Sequence, residues 1–382
     1  MQCMRALSNR VPTKGDGTQQ GRAPGSGMEK VVAVALSGGV DSMTAAAILK
    51  RDGYKVIGIH FQTGYQEGKR PFKLTTKAHD TEKLLRTAAH KLEIPFFTIN
   101  CKEIFHSRVV KYFIESYKQG LTPNPCIVCN RDIKFAYLLD RAHELGASLL
   151  ATGHYVRTKK TSSGTVQLLK GVDRVKDQSY FLSLLTQEQL QRALFPLGGY
   201  TKSMVKEMAR RWKILPTLTS ESQDICFIKD LDYARFISDQ CGFKVDPGPI
   251  VDLKGRQLGC HKGLHAYTVG QRRKIGIPAP EPYYVVRLES ENNRLIVGHK
   301  SDLLASECTV KGVNWIEEVP SRSPVIVRTR IRYQHREAES RLTLIDETTV
   351  HIRFFRPQLA ITPGQCAVFY QDERVIGGGW VT

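Results

Sequence analysis

The sequence predicts an α/β protein: a parallel sheet with helices on both faces, followed by a small central domain and a C-terminal β-barrel. Three observations carry this. Buried-strand and helix patterns alternate from residue 31 to about 151, the order of a parallel sheet with crossover helices. The middle of the chain loses that regularity and fills with Pro and Gly. The end is a series of short strands between turns, the pattern of a barrel or sandwich of roughly 90 residues.

The elements follow in order. Residues 1–27 are rich in Gly, Pro, Ser and Gln without a helical or strand period, and read as a disordered extension. Arg5, Arg10 and Arg22 with the single acid Asp16 suit a transit peptide, but the glycines oppose its amphipathic helix, and Met28 offers a second start. VVAVAL is a buried strand, SGGVDS a turn, and MTAAAILKRDG a helix stopped by Gly53. KVIGIH and PFFTIN are strands; TTKAHDTEKLLRTAAHKLE and CKEIFHSRVVKYFIESYKQG are helices. After the LTPNPC turn, Phe135, Leu138, Leu139 and Ala142 recur at helical spacing, and SLLATGH supplies another strand. KSMVKEMARRW is helical, and DPGPIVDLKGRQLGCHKG is punctuated by turns. YYVVRLE, RLIVGH, CTVKGVNW, VIVRTRIRY, LTLID, TVHIRFF, QCAVFY and RVIGGGWVT are the short strands of the end. The expected domains are therefore 28–215, 216–285 and 286–382.

With 41% hydrophobic and 24% charged residues over 382 positions, the chain can build two or three real cores. Its longest apolar stretch, Val31 to Leu36, is far below the ~18 residues of a membrane span. Lys and Arg outnumber Asp and Glu by 56 to 37, a formal charge of +19, which favours a nucleic-acid partner over a small neutral metabolite. Nine cysteines without a secretory signal suggest reduced thiols and a cytoplasmic location. Cys126 and Cys129 form a C-x-x-C in PNPCIVCN, a pattern of redox, metal or catalytic chemistry.

SGGVDS sits between a buried strand and a helix start, where unpaired N–H groups and the helix dipole favour phosphate. It lacks the lysine of a Walker A loop and is not G-x-G-x-x-G. The stretch resembles the pyrophosphate loop of the ATP pyrophosphatase superfamily, whose members adenylate a substrate oxygen. That resemblance implies ATP contacts at Ala35, Leu36, Ser37, Gly38, Gly39, Val40, Asp41 and Ser42, with Asp41 suited to Mg2+.

Three further strings narrow the resemblance: LTPNPCIVCNRDIKF; ATGHYVR with KDQSYFL; and SESQDICFI followed by GLHAYTVGQRRKIGI. Together they look like the tRNA-specific 2-thiouridylase family, in the same order, from about Val31 to Trp380. This implies an adenine nucleotide alpha hydrolase-like sheet and ATP-dependent replacement of the C2 oxygen of the wobble uridine by sulfur. It also implies partners: tRNA and a persulfide or sulfide donor protein, with a monomer when free. The family's two working cysteines match Cys129 and Cys226.

Cys126 stands where the family commonly has Asp, so three thiols are placed at one site. Two readings stay open: persulfide chemistry with Cys126 as an auxiliary thiol, or a four-iron four-sulfur cluster on Cys126, Cys129 and Cys226. A zinc site or a simple redox pair is the remainder. By the same resemblance Phe61 and Gly153 line the nucleotide pocket, and Asn124, Pro125 and Cys126 contact tRNA. His154, Lys176, Asp177, Gln178, Arg332, Tyr333 and Gln365 would touch tRNA. Strand alternation in VIVRTRIRY also predicts a basic stripe of Arg328, Arg330 and Arg332, with Tyr333 and Ile331 on the opposite face.

Two other functions compete. An amide-forming synthetase on the same loop, such as those making GMP, NAD or argininosuccinate, has no use for Cys129 and Cys226. A non-catalytic RNA-binding module leaves SGGVDS unexplained.

Overall fold

The computed structural model describes residues 30–65, 78–214, 225–228, 232–241, 246–320 and 323–382. The extension read at 1–27, the start of the TTKAHD helix and all of SESQD lie outside the described residues.

The first domain is a five-stranded sheet in the order β3-β2-β1-β4-β7. Its strands are β1 (Val31–Ala35), β2 (Lys55–Gln62), β3 (Phe96–Asn100), β4 (Leu149–Ala151) and β7 (Ala193–Leu194), all paired in parallel. Alternation along β1 divides its side chains between two cores. Val32 and Val34 pack with Met43, Ala46 and Leu49 of α1 (Val40–Arg51) and with Leu85 and Ala89 of α2 (Ala78–Lys91). Ala33 and Ala35 face Phe135, Leu138 and Ala142 of the helix spanning 125–144. The sheet is thus covered on both sides, as its continuous apolar strands require.

Two helices widen into π-helix midway: α3 (102–118) at His106–Val110 and α4 (125–144) at Cys129–Leu138. α4 begins where the sequence predicts, because Pro125 occupies the first helical position and Asn124 caps it. A short helix α5 (Gln187–Gln191) precedes α6 (Lys202–Arg211), and α6 packs Val205 against Ala45 and Ile48 of α1.

A second sheet, ordered β10-β11-β8-β9, comprises β8 (Gly248–Val251), β9 (Gln257–His261), β10 (Tyr284–Glu289) and β11 (Arg294–Gly298). The domain boundary expected at residue 286 falls inside it. YYVVRLE and RLIVGH were expected in the barrel, but their Val285, Leu295 and Val297 pack with Ile250, Leu264 and Tyr267 instead.

The barrel closes through β12-β15-β14-β13-β16-β17 and a β12 to β17 pairing. Its strands are β12 (Leu304–Trp315), β13 (Val325–Arg330), β14 (Ala338–Leu344), β15 (Thr349–Leu359), β16 (Cys366–Gln371) and β17 (Arg374–Val381). A hairpin of the first domain, β5 (Val156–Lys160) with β6 (Val166–Lys170), extends this sheet at β17. That hairpin shares a core with Val368, Tyr370 and Val375 of the barrel. The phosphate-loop domain and the barrel are therefore joined by a common sheet as well as by the chain.

Candidate nucleotide and thiol site

β1 is the topological switch point: the chain crosses from it to β2 on one side, and β4 returns on the other. In open α/β sheets the loops after such strands diverge and leave a ligand crevice at their carboxyl ends. SGGVDS follows β1 and TGH follows β4, so the two strings singled out in the sequence form its walls. Gly38 has φ of +84°, a left-handed conformation costly for any side chain. Ser42 Oγ donates to Gly39 O at 3.1 Å and accepts from Ser37 N at 3.2 Å, which folds the loop over the first turn of α1. No side chain caps that end of α1, so the loop offers an anion the helix amides and the positive end of the dipole.

Gly153 closes the opposite wall. A Cβ there would stand 3.0 Å from Asp41 C and Ser42 N, so the loop after β4 reaches α1 only because the residue is glycine. The side chains of Ala35 and Leu36 are buried in the two cores, and Val40 packs beside one of them, so these side chains serve packing. Phe61 is half-buried at the end of β2 and packs against two cores. His60 is buried, which lowers its pKa below the usual imidazole range; as a neutral ring its Nδ1–H donates to Leu36 O at 3.0 Å.

Asp41 is engaged. Its Oδ1 accepts from Tyr155 Oη at 2.7 Å and Lys202 Nζ at 2.8 Å, and its Oδ2 accepts from Lys202 Nζ at 2.7 Å. The carboxylate is a hard oxygen donor of the kind Mg2+ takes, and it fits the ion through Oδ2 or by giving up Lys202. Neither Tyr155 nor Lys202 was expected from the sequence. The available signal was electrostatic: a lysine at the first position of α6 opposes that helix's dipole.

The thiols lie on α4 and on the short segment 225–228. Asn124 Oδ1 accepts from Ile127 N at 3.3 Å, fixing the helix start that carries Cys126 and Cys129, both half-buried. Burial pushes the Cys126 thiol up to about 11, with the Cys226 charge adding and Lys134 opposing. Burial likewise pushes Cys129 up to about 12, Lys134 opposes this, and the charges of Cys226, Cys126 and Cys101 add. Lys134 is thus a cation facing both Cys126 and Cys129, and the charge of Cys226 reaches both of them. Lys134 was also missed; it lies five residues after Cys129 in the π-helical stretch, whose hydrogen bonds join residues five apart.

Cys226 is exposed. Its neighbour Phe227 is pinned among Phe105, Phe113 and Phe236 at centroid distances of 5.7, 5.3 and 5.4 Å, which places the segment. Among the described residues no group of three or more His, Cys, Asp or Glu is arranged to hold a metal ion. As placed, Cys126, Cys129 and Cys226 do not fit a cluster.

The residues expected at tRNA divide. Gln365 Nε2 donates to Thr122 O and Pro123 O at 3.0 and 3.3 Å, so a barrel loop clamps the LTPNPC turn. His154 accepts or donates at 2.7 Å with Thr152 Oγ1, and burial with Lys134 nearby holds its pKa well below 6.5. Lys176 is half-buried beside Val175, which is 86% exposed. Asp177, however, is 3% exposed and accepts from Gly171 N, Ser179 N and Ser179 Oγ, so its carboxylate organises the turn from within. Gln178 accepts from Tyr155 N at 3.0 Å.

The basic stripe does not form as expected. β13 ends at Arg330, so strand alternation stops before Arg332. Arg328 is exposed, whereas Arg330 pairs with Glu337 at 3.0 Å and Asp177 at 3.6 Å, and Glu337 in turn holds Lys170 at 2.7 Å. Arg332 Nη1 donates to Leu359 O and Ala360 O at 3.0 and 3.3 Å. Tyr333 packs on Phe181, ring centroids 4.4 Å apart, while Ile331 points into the barrel core.

Comparison with known proteins covers nearly the whole described chain. Three family profiles match in succession: "tRNA methyl transferase HUP domain" at residues 30–230, "tRNA methyl transferase PRC-barrel domain" at 234–299 and "Aminomethyltransferase beta-barrel domain" at 305–381. The tRNA-specific 2-thiouridylase MnmA of Desulfosudis oleivorans is 47% identical over 91% of this chain and 94% of its own length. MnmA of Geobacter metallireducens is 43% identical over 92% and 96%, and MnmA 1 of Caldanaerobacter subterraneus is 45% identical over 91% and 96%. With relatives this similar matched almost end to end, the chain belongs to the tRNA-specific 2-thiouridylase family.

Proposed function

We propose that the protein is an ATP-dependent tRNA-uridine 2-sulfurtransferase that works by persulfide transfer. The observation that carries this is an uncapped helix terminus in the switch-point crevice of a chain that also carries half-buried Cys126 and Cys129 on α4 and an exposed Cys226. Family membership supports the substrate, and the formal charge of +19 suits a polyanion.

In the first step the C2 oxygen of the uridine attacks the α-phosphorus of ATP. The N3 proton is lost, the bond to the bridging oxygen breaks, and pyrophosphate leaves. Asp41 would hold the magnesium ion, which supplies charge neutralisation at the phosphates. The uridine is left as an AMP ester, whose oxygen is a good leaving group.

In the second step the terminal sulfur of a persulfide on Cys226, loaded by a donor protein, attacks C2 and AMP departs. Cys129 then attacks the Cys226 sulfur. The disulfide between them forms, the bond to the transferred sulfur breaks, and its electron pair stays on 2-thiouridine. Exposure of Cys226 suits loading by a partner, and half-burial of Cys129 suits a thiol kept for the resolving step. Two electrons from a thiol reductant restore the pair, which accords with a reducing, cytoplasmic compartment. Cys126 stands beside them as an auxiliary thiol; no step passes through a cluster.

The test is anaerobic reaction of the purified protein with tRNA transcript, ATP, Mg2+ and a persulfide donor, with an iron and acid-labile sulfide assay alongside. Pyrophosphate release and 2-thiouridine in the digested tRNA, from iron-free protein, are expected. Release of pyrophosphate without thiolation, or dependence of thiolation on iron, would overturn the persulfide reading.

A further inference from the structure

We propose that a cleft between α3, the start of α4 and β17 holds an unpaired nucleotide of the tRNA other than the reacting uridine; this rests on the tRNA reading above. The base lies against Trp380 and Tyr112, and the phosphate on Arg108 and Lys111. At about 410 Å³ the cleft has the size of a site for one small ligand. Val381 packs in the barrel core, so strand alternation turns Trp380 out of it and onto the cores of the first domain. There its ring meets that of Tyr112, centroids 5.8 Å apart at 45°. Val128, between Cys126 and Cys129 on α4, completes the apolar lining, so the cleft adjoins the helix that carries two of the thiols.

The rim carries uncompensated positive charge. α3 exposes Arg108 and Lys111 one turn apart, turned away from Phe105 and Phe113, which pack inside. Neither cation has an ion-pair partner among the described residues. The acids beside them are already matched: Glu115 pairs with Lys118 at 2.8 Å, and Asp132 accepts from Arg131 at 2.5 and 2.9 Å. Two such cations beside an aromatic lining are the combination that holds single-stranded RNA, because any base stacks on a ring while its phosphate takes the guanidinium and the ammonium. In a duplex the bases stay stacked on one another, so the occupant is an unpaired nucleotide. A neutral apolar ligand would leave the two cations unanswered, and a small anion would leave the rings bare.

The experiment titrates the full-length protein with tRNA transcript by filter binding at several salt concentrations, alongside tRNA-dependent pyrophosphate release. Wild type, Trp380→Leu, Trp380→Phe and the double variant Arg108→Ala with Lys111→Ala are compared. Circular dichroism and thermal melting check the fold, and the double variant alters only exposed side chains, so it decides the matter if Trp380→Leu unfolds. Trp380→Leu is expected to weaken tRNA binding about 5–150-fold at an unchanged salt slope, as one stacked base is lost. Trp380→Phe keeps a ring and should stay within about threefold of wild type. The double variant should instead lower the salt slope by about 1.4–1.8. The KM for tRNA in pyrophosphate release should rise in step with each loss of affinity. Unchanged affinity and slope in a folded double variant would overturn the assignment. So would a loss confined to thiolation from a protein persulfide donor, which would give the cleft to that donor. Failure of the wild type to bind tRNA would overturn the tRNA reading itself.

Discussion

The reactivity of Cys129 offers a quantitative check on the thiol site. Burial carries its pKa from 9.0 to about 12 despite the opposing charge of Lys134. Three units reduce the thiolate fraction near neutral pH by about 1000-fold. A more basic thiolate is also more nucleophilic, and a Brønsted coefficient near 0.4–0.5 returns about 20-fold of that. Alkylation of Cys129 by iodoacetamide is therefore expected to run about 50-fold slower than that of an ordinary exposed cysteine. Its rate should rise about tenfold per pH unit from 7 to 9 without reaching a plateau. Peptide mapping by mass spectrometry after timed quenching measures this, with the exposed Cys226 in the same sample as comparison. Lys134→Met should slow Cys129 further, because a cation that lowers its pKa is gone. Modification of Cys129 within about threefold of Cys226 at pH 7.5, or a plateau below pH 9, would refute the reasoning.

Gly153→Ala puts a Cβ 3.0 Å from the α1 backbone, so loop and helix must separate by a few tenths of an ångström, at an overpacking cost of about 1–3 kcal/mol. Weaker ATP use in a pyrophosphate-release assay, with tRNA affinity retained, is the expected result. Neighbouring Lys176 and Asp177 should behave oppositely. Lys176→Ala should leave the denaturation midpoint alone and reduce the salt-dependence slope of tRNA binding by about 0.7–0.9. Asp177→Ala should cost about 1–3 kcal/mol or more in urea unfolding, because the buried Gly171 N–H and the Ser179 N–H and hydroxyl lose their acceptor, while Arg330 keeps Glu337. Cys126→Asp is expected to thiolate tRNA while Cys129→Ser and Cys226→Ser do not; an inactive Asp variant that has also lost bound iron would contradict the persulfide route.

Much of the architecture was legible because its signals are local. The apolar run of β1, Pro125 behind its Asn124 cap and Gly38 at a left-handed position each act within a few residues. The barrel strands were visible as short alternating runs, but their membership was not. Tyr284–Glu289 and Arg294–Gly298 carry the same pattern as barrel strands and went to the second sheet, because pairing depends on partners distant in sequence. The arginine stripe failed for a related reason: alternation predicts a face only while the strand lasts, and β13 stops at Arg330.

By itself the sequence determined which chemistry the chain carries: a glycine turn at a helix start for phosphate, three cysteines in two strings, and an excess of cations. The tertiary structure decided which of those groups meet. It brought Lys202 onto Asp41 across 161 positions and Lys134 beside the thiols of Cys126 and Cys129. It also took Asp177 and Arg330 out of solvent into a shared network. The physical reason is one of range: backbone conformation is set by neighbours along the chain, whereas the charge a residue feels is set by whatever the fold places within a few ångströms of it.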